Sequence, residues 1–312
     1  MTAAPALAHA GFWRLYWVTL RPYLFFVSGA AGAVGLALSD ASGIAFAAAF
    51  AAFFFSYGFG QAATDVFQID TDSISSPYRP LTQGLVSRRK VLLASLAGLC
   101  ACGAILAAIH PANLLFSALA AAGLMTYTPC KRRWWAGPWW NAWIVALLPV
   151  MGLLCGARAS AAAAPAVASV FFSYAVFVLL GYLKDVTADR LAGYETLPVK
   201  AGCRVAVLAS AGFQLAAAAS SIAFFRALPA PHAAGAAVAG CGIAAGCAAH
   251  ALAWTGGGER ESHRAIAWSV RGFILLHLGE CLAARPRLWA AAALFYAAFE
   301  LVLARRPERT QI

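Results

Sequence analysis

The residues best suited to chemistry fall in one stretch, Gln61 to Lys90, where a long apolar run ends in three aspartates, Asp65, Asp70 and Asp72. The chain of 312 residues holds only twelve acidic side chains, so this density is unusual within it. Continued as a helix at about 100° per residue, Gln61, Asp65, Gln68 and Asp72 fall within roughly 60° of one another, and Asp70 lands on the opposite side. The stretch then closes on Arg79, Arg88, Arg89 and Lys90. A helix that leaves a membrane with such a stripe has a use for it. The plain alternative is a solvated loop whose acids keep it out of the lipid.

A second cluster, residues 181–198, carries Lys184, Asp185, Asp189, Arg190 and Glu195. Asp185 and Asp189 are four apart, which places them on one face of a helix continuing out of the preceding apolar run. Neighbouring carboxylates repel each other unless a cation sits beside them. Magnesium suits the arrangement, being held by one or two carboxylates together with water and substrate phosphates. If Asp65 and Asp72 face Asp185 and Asp189 across a cavity, a diphosphate can bridge Mg2+ between them, with Arg79, Lys131 and Lys184 neutralising the remaining charge. The other end of such a ligand must lie among apolar helices. An isoprenoid diphosphate has that form. Loss of its diphosphate leaves an allylic cation, which aromatic faces can stabilise; Phe67, Tyr127, Phe171, Phe172 and Tyr182 lie at the right level.

The elements that must position these groups follow from composition. The chain is 62% hydrophobic and 11% charged, with a mean hydropathy of +0.74. A soluble domain carries about a quarter charged residues. Apolar runs of about twenty residues recur along the whole length, which predicts an all-α integral membrane protein rather than a barrel. The expected spans are 13–38, 44–64, 90–109, 112–128, 139–157, 165–183, 204–226, 232–254, 264–284 and 287–304. The run 264–284 contains Arg271, His277 and Glu280, so the count stands at nine or ten. Internal pairing of these three is the preferred reading over a role in a pocket. The first run, with Arg14 and Arg21 inside it and no cleavage site, reads as a span and not as a secretory signal. No boundary divides the chain, and residues 1–312 read as one domain.

The net charge of +11 is read topologically rather than as a sign of nucleic-acid binding. Basic residues gather in alternate connections, at 65–90, 129–138, 184–204, 255–263 and the tail, against single arginines such as Arg158, Arg226 and Arg285 opposite. That places both acidic clusters on the cytoplasmic side of the membrane. Trp134, Trp135, Trp139 and Trp140 beside Lys131 read as an interfacial belt. Eight scattered cysteines and the isolated His9, His110, His232 and His250 offer no disulfide or transition-metal pattern. The Ala- and Gly-rich stretches read as close helix contacts. A loose internal repeat is also visible. An apolar run ending at Asp65…Asp72 leads to RPLTQG at 79–84, and one ending at Asp185…Asp189 leads to TLPVKAG at 196–202.

Five segments carry a resemblance to a known family: LRPY at 20–23, PYRPLTQG at 77–84, YTPCK at 127–131, GPWWN at 137–141 and, most specific, KDVTADRLAGYETLPV at 184–199. The chain resembles the UbiA-type membrane prenyltransferases. The resemblance implies a bundle of about nine transmembrane helices around a central cavity, with two aspartate-rich cytoplasmic connections binding Mg2+ and an isoprenoid diphosphate. It implies Asp65, Asp72, Asp185 and Asp189 as catalytic residues, with Asp65, Gln68, Asp72, Asp185 and Asp189 at metal-facing positions. Arg79, Tyr127, Lys131 and Lys184 fall to the diphosphate. The departure lies in the first motif, where Thr64 and Gln68 occupy positions the family gives to Asn and Asp. The implied reaction is prenyl transfer to a small-molecule acceptor in the bilayer of a cytoplasmic membrane. A terpene cyclase acting on the diphosphate alone is the alternative, and a transporter or scaffold without catalysis is the third reading.

Overall fold

The protein is represented by a computed structural model that describes residues 11–133, 136–156, 160–256 and 258–306. His9, Trp134, Trp135, Arg158 and Arg309 lie outside the described residues. The chain is all-helical there. In order the helices are α1 (Phe12–Leu20), α2 (Phe25–Leu38), α3 (Gly43–Asp65), α4 (Ile69–Ser75), α5 (Arg88–Ile109), α6 (Ala112–Arg133) and α7 (Gly137–Leu154). There follow α8 (Ala163–Gly181), α9 (Val186–Leu191), α10 (Leu197–Ala201), α11 (Cys203–Ala227), α12 (Ala233–Thr255), α13 (Glu259–Ala284) and α14 (Trp289–Ala304).

Among the described residues, eight helices are long and apolar enough to cross a membrane, and nine when α1 and α2 are counted as one bent span. The expected span at 112–128 is helix α6, which lies outside that count and runs on through Pro129 to Lys131, Arg132 and Arg133. The ambiguous run 264–284 is helical and is the most buried of the spans. Its polar side chains pair internally. His277 Nδ1 lies 2.8 Å from Glu280 Oε2, Ser169 donates to Glu280 Oε1, and Ser173 meets His277 Nε2. Arg271 makes a two-pronged pair with Glu300 of α14.

Three expected continuous helices are broken, and the breaks shape the site. The span 13–38 bends by 41° between α1 and α2. Pro22 cannot donate a backbone hydrogen bond, and Arg21 before it takes a left-handed conformation at φ 53°. Helix α3 stops at Asp65, so Asp72 sits on the separate helix α4. Helix α8 stops at Gly181 and passes through a 3-10 turn, Tyr182–Lys184, before α9. The internal repeat has a loose structural counterpart: each long span is followed by short helical structure, α4 in the first case and α9 with α10 in the second, and by a glycine of positive φ before the next long helix. Gly84 (φ 71°) precedes α5 and Gly202 (φ 89°) precedes α11, a backbone region that other residues enter at a cost.

Helices α12 and α13 pack backbone to backbone. Gly235 and Gly242 of α12 lie against the backbone around Leu276, Gly279 and Ala283 of α13, and a methyl group at either glycine would collide with it. In a bilayer the attraction between helices comes from such packing rather than from burial of apolar surface away from water. Helix α2 is central, touching α3, α7 and α13, while α3, α5, α6 and α7 enclose a cavity beside it.

Candidate active site

The cavity holds about 510 Å³. Its polar mouth is formed by Arg21, Gln61, Asp65, Gln68, Asp72, Arg79, Lys131, Lys184 and Asp185, and its other end by Cys102, Leu106, Leu114, Leu148 and Met151. Tyr127 and Leu114 both line it from α6. Their separation along that helix, at 1.5 Å per residue, makes the cavity about 20 Å deep.

Each carboxylate at the mouth has a defined setting. Asp65, at the end of α3, accepts from Arg21 Nη2 at 2.5 Å and from Gln61 Nε2 at 2.7 Å, so both its oxygens are engaged. Asp72 on α4 pairs through Oδ2 with Arg79 Nη1. Asp185, half-buried ahead of α9, borders the cavity and forms no ion pair among the described residues. Asp189, fully buried, lies behind the wall rather than on it; Lys131 Nζ is 3.0 Å from Oδ1, and Thr196 donates to Oδ2. Burial pushes the Asp72 carboxyl up from the usual range, against the downward pull of Arg79, with Asp65 and Asp185 adding to the rise. Burial likewise raises Asp189, against Lys131.

The cations are placed with equal care. The Lys131 ammonium lies over the rings of Tyr182 and Tyr194, 4.9 and 5.0 Å from their centroids. Gly137, where α7 begins, leaves room for the Tyr182 hydroxyl, which a Cβ there would strike. Tyr182 in turn bonds Tyr127 at 2.8 Å. Asp70, exposed on α4 and not among the cavity-lining residues, pairs with Arg132 at 2.6 Å. Arg132 also donates to Tyr194 and to the Phe67 carbonyl, tying the two aspartate-rich connections together.

Of the aromatic residues singled out from the sequence, Tyr127 and Tyr182 line the cavity, while Phe67 is exposed and Phe171 packs on Trp139. Sequence reasoning missed Tyr57 and Tyr174, which line the cavity and share a hydroxyl hydrogen bond of 3.0 Å, and also Phe177. It also gave Arg21 no role. The signal was present, since an arginine inside an apolar span marks a functional position by default.

The model of the UbiA prenyltransferase family matches residues 23–276. The chain belongs to the UbiA prenyltransferase family. Digeranylgeranylglyceryl phosphate synthase of Halobacterium salinarum is 34% identical over 166 residues, which make up 52% of this chain and 59% of that relative. The match therefore spans less than two thirds of the relative's length. The fold is also that of solved structures. A UbiA homolog from Aeropyrum pernix K1 aligns with a TM-score of 0.69 and 23% identity, over 82% of this chain and 96% of that one. A UbiA homolog from Archaeoglobus fulgidus bound to GPP and Mg2+ aligns with a TM-score of 0.64 and 22% identity, over 84% of this chain and 99% of that one.

Among the described residues no three His, Cys, Asp or Glu side chains are grouped to hold a metal ion. The donor set nonetheless fits one divalent ion. Asp72 and Asp185 both border the cavity, the Asp185 carboxylate adds to the rise of the Asp72 carboxyl, and Asp72 Oδ2 alone is engaged by Arg79. An ion between two carboxylates offsets their repulsion. In the rest of the first motif, both Asp65 oxygens accept from Arg21 and Gln61, and Gln68 donates its amide N–H to Thr128 at 3.1 Å.

Proposed function

We propose that this UbiA-family protein transfers a prenyl group from an isoprenoid diphosphate to an acceptor within the membrane, with Mg2+ and with its site open to the cytoplasm. One observation carries the reading: a single cavity joins a mouth of paired acids and bases to an apolar end about 20 Å away. A ligand with a diphosphate head and a hydrocarbon tail matches both ends. Magnesium, held by Asp72 and Asp185, would draw charge from the departing diphosphate.

Arg79, Lys131 and Lys184 supply the fixed positive charge around the head. Asp189 and the Tyr182 and Tyr194 rings hold the Lys131 ammonium in place, so that its charge is preorganised rather than gathered during reaction. The carbon–oxygen bond to the diphosphate breaks with its electron pair on the diphosphate. The allylic cation left behind lies among Tyr57, Tyr127, Tyr174 and Tyr182. The acceptor forms the new bond to that carbon and gives up a proton. The cytoplasmic orientation is supported by the basic residues on the connections that form the mouth.

Purified protein given prenyl diphosphates of increasing length and Mg2+, with and without a membrane-soluble acceptor, tests the proposal. The name of the Halobacterium salinarum relative makes a geranylgeranylated glyceryl phosphate the first acceptor to try. A prenylated product formed only with acceptor supports transfer. A cyclic terpene hydrocarbon or alcohol released without acceptor would establish cyclisation instead. No diphosphate release under any condition would overturn both.

A further inference from the structure

The first aspartate-rich connection is organised around a fixed cation. Asp65 lies 3% exposed at the end of α3, and its two oxygens accept from Arg21 and Gln61. Gln68 brings no charge and is bound to Thr128. Arg21 borders the cavity while 7% exposed. A guanidinium carries five N–H donors, and among the described residues the one side-chain bond from Arg21 goes to Asp65, so further donors border the cavity. The backbone is bent to deliver it. Arg21 is the one non-glycine residue with positive φ among those described, at the break between α1 and α2. An arginine adopts that conformation only where surrounding contacts enforce it, and such strain gathers at functional sites. Pro22 and the buried ion pair with Asp65 are those contacts.

We propose that Arg21, braced by Asp65 and Gln61, stands in place of a metal ion on the first connection and binds the diphosphate head directly, so that the site takes one divalent ion and not two. This rests on the prenyl-diphosphate reading above. A guanidinium suits the task because it stays charged at any accessible pH and presents paired donors matched to phosphate oxygens. Asp65 is then a positioning residue for Arg21, and the loss of an acid at Gln68 costs nothing because no ion is held there.

Equilibrium dialysis of the purified protein against Mn2+ and inorganic pyrophosphate tests this by counting the ions retained per protein. One ion is expected for the wild type, and two would overturn the assignment. Arg21→Met alone leaves Asp65 buried without its partner and risks unfolding, so the decisive variant is Arg21→Met with Asp65→Asn. Its pyrophosphate affinity should fall by about tenfold or more, the loss of a charge-assisted hydrogen bond, while the count stays at one. Arg21→Lys, which keeps the charge and loses the fork, should fall between. Unchanged affinity in the double variant would overturn the proposal. Two ions with normal pyrophosphate binding would count against Arg21 only, whereas no Mn2+-dependent pyrophosphate binding by the wild type would overturn the prenyl-diphosphate reading and this one with it.

Discussion

Replacing Lys131 by methionine separates the architecture of the site from its chemistry. The ammonium and the Asp189 carboxylate are 5% and 0% exposed and 3.0 Å apart. At an effective dielectric constant of about 20 their attraction is about 5–6 kcal/mol. Each aromatic face adds about 0.5–2 kcal/mol. Desolvation opposes both, so the pair contributes far less than that to net stability. Removing one partner is another matter. Lys131→Met leaves Asp189 charged and buried with Thr196 as its remaining side-chain donor, a loss of about 3–5 kcal/mol. Asp189→Asn alone strands the ammonium in the same way. The double variant strands nothing, and most of the lost stability should return. Thermal unfolding of the four proteins in detergent, followed by tryptophan fluorescence, gives the coupling between the two sites. Turnover gives the other half, since the double variant should fold yet remain inactive without its diphosphate-binding cation. Additive losses of stability would refute the pairing, and a stable double variant with normal turnover would refute the role given to Lys131.

Other consequences can be checked alongside. Asp72→Asn and Asp185→Asn should each reduce turnover by roughly 10²–10³-fold at saturating Mg2+ without unfolding the protein; near-normal turnover in either would remove that residue from the ion site. Gln68→Asp gives up the bond to Thr128 and sets a third carboxylate beside Asp65 and Asp72, so its rate should fall at every Mg2+ concentration. A rate at or above wild type would show that an ion is held there. Because burial raises the Asp72 carboxyl against the pull of Arg79, its proton competes with the ion more than that of an ordinary carboxylate, and apparent Mg2+ affinity should strengthen as pH rises out of the acid range. A pH-independent Mg2+ midpoint would contradict this. Met151→Trp fills the apolar end of the cavity, so it should abolish use of long prenyl diphosphates while short ones are still accepted. Equal loss for all lengths would place the tail elsewhere.

The bundle was legible in the sequence because membrane spans announce themselves by length and apolarity, and Asp72, Asp185, Lys131 and Lys184, singled out by residue type and motif, all border the cavity. The breaks were not. Val66, Phe67 and Gln68 include no glycine or proline, and helix α3 ends there as tertiary partners claim the Phe67 carbonyl and the Gln68 side chain. Helical periodicity therefore put Asp65 and Asp72 on one continuous face, where the structure divides them between two helices. The 3-10 turn at Tyr182–Lys184 ends α8 before the second pair, so Asp185 stands at the N-cap of the new helix α9 and borders the cavity while Asp189, one turn further on, lies behind the wall. Arg21 was hidden for another reason. Its partner, Asp65, is 44 positions away, and only the bend at Pro22 brings the two together. The ambiguity of 264–284 had the same origin, since the partners of Arg271, His277 and Glu280 include Glu300, Ser173 and Ser169 on neighbouring helices.

The central claim, that a diphosphate head sits at the charged mouth with its tail in the apolar end, is tested most directly by photolabelling with a prenyl diphosphate carrying a diazirine at its far terminus. With Mg2+ present, the label should appear on residues of the apolar end, among them Leu106, Leu114 and Met151. It should be lost when magnesium is chelated or Asp185 is changed to asparagine. Labelling spread over the outer faces of the helices and indifferent to Mg2+ and to Asp185 would contradict the account.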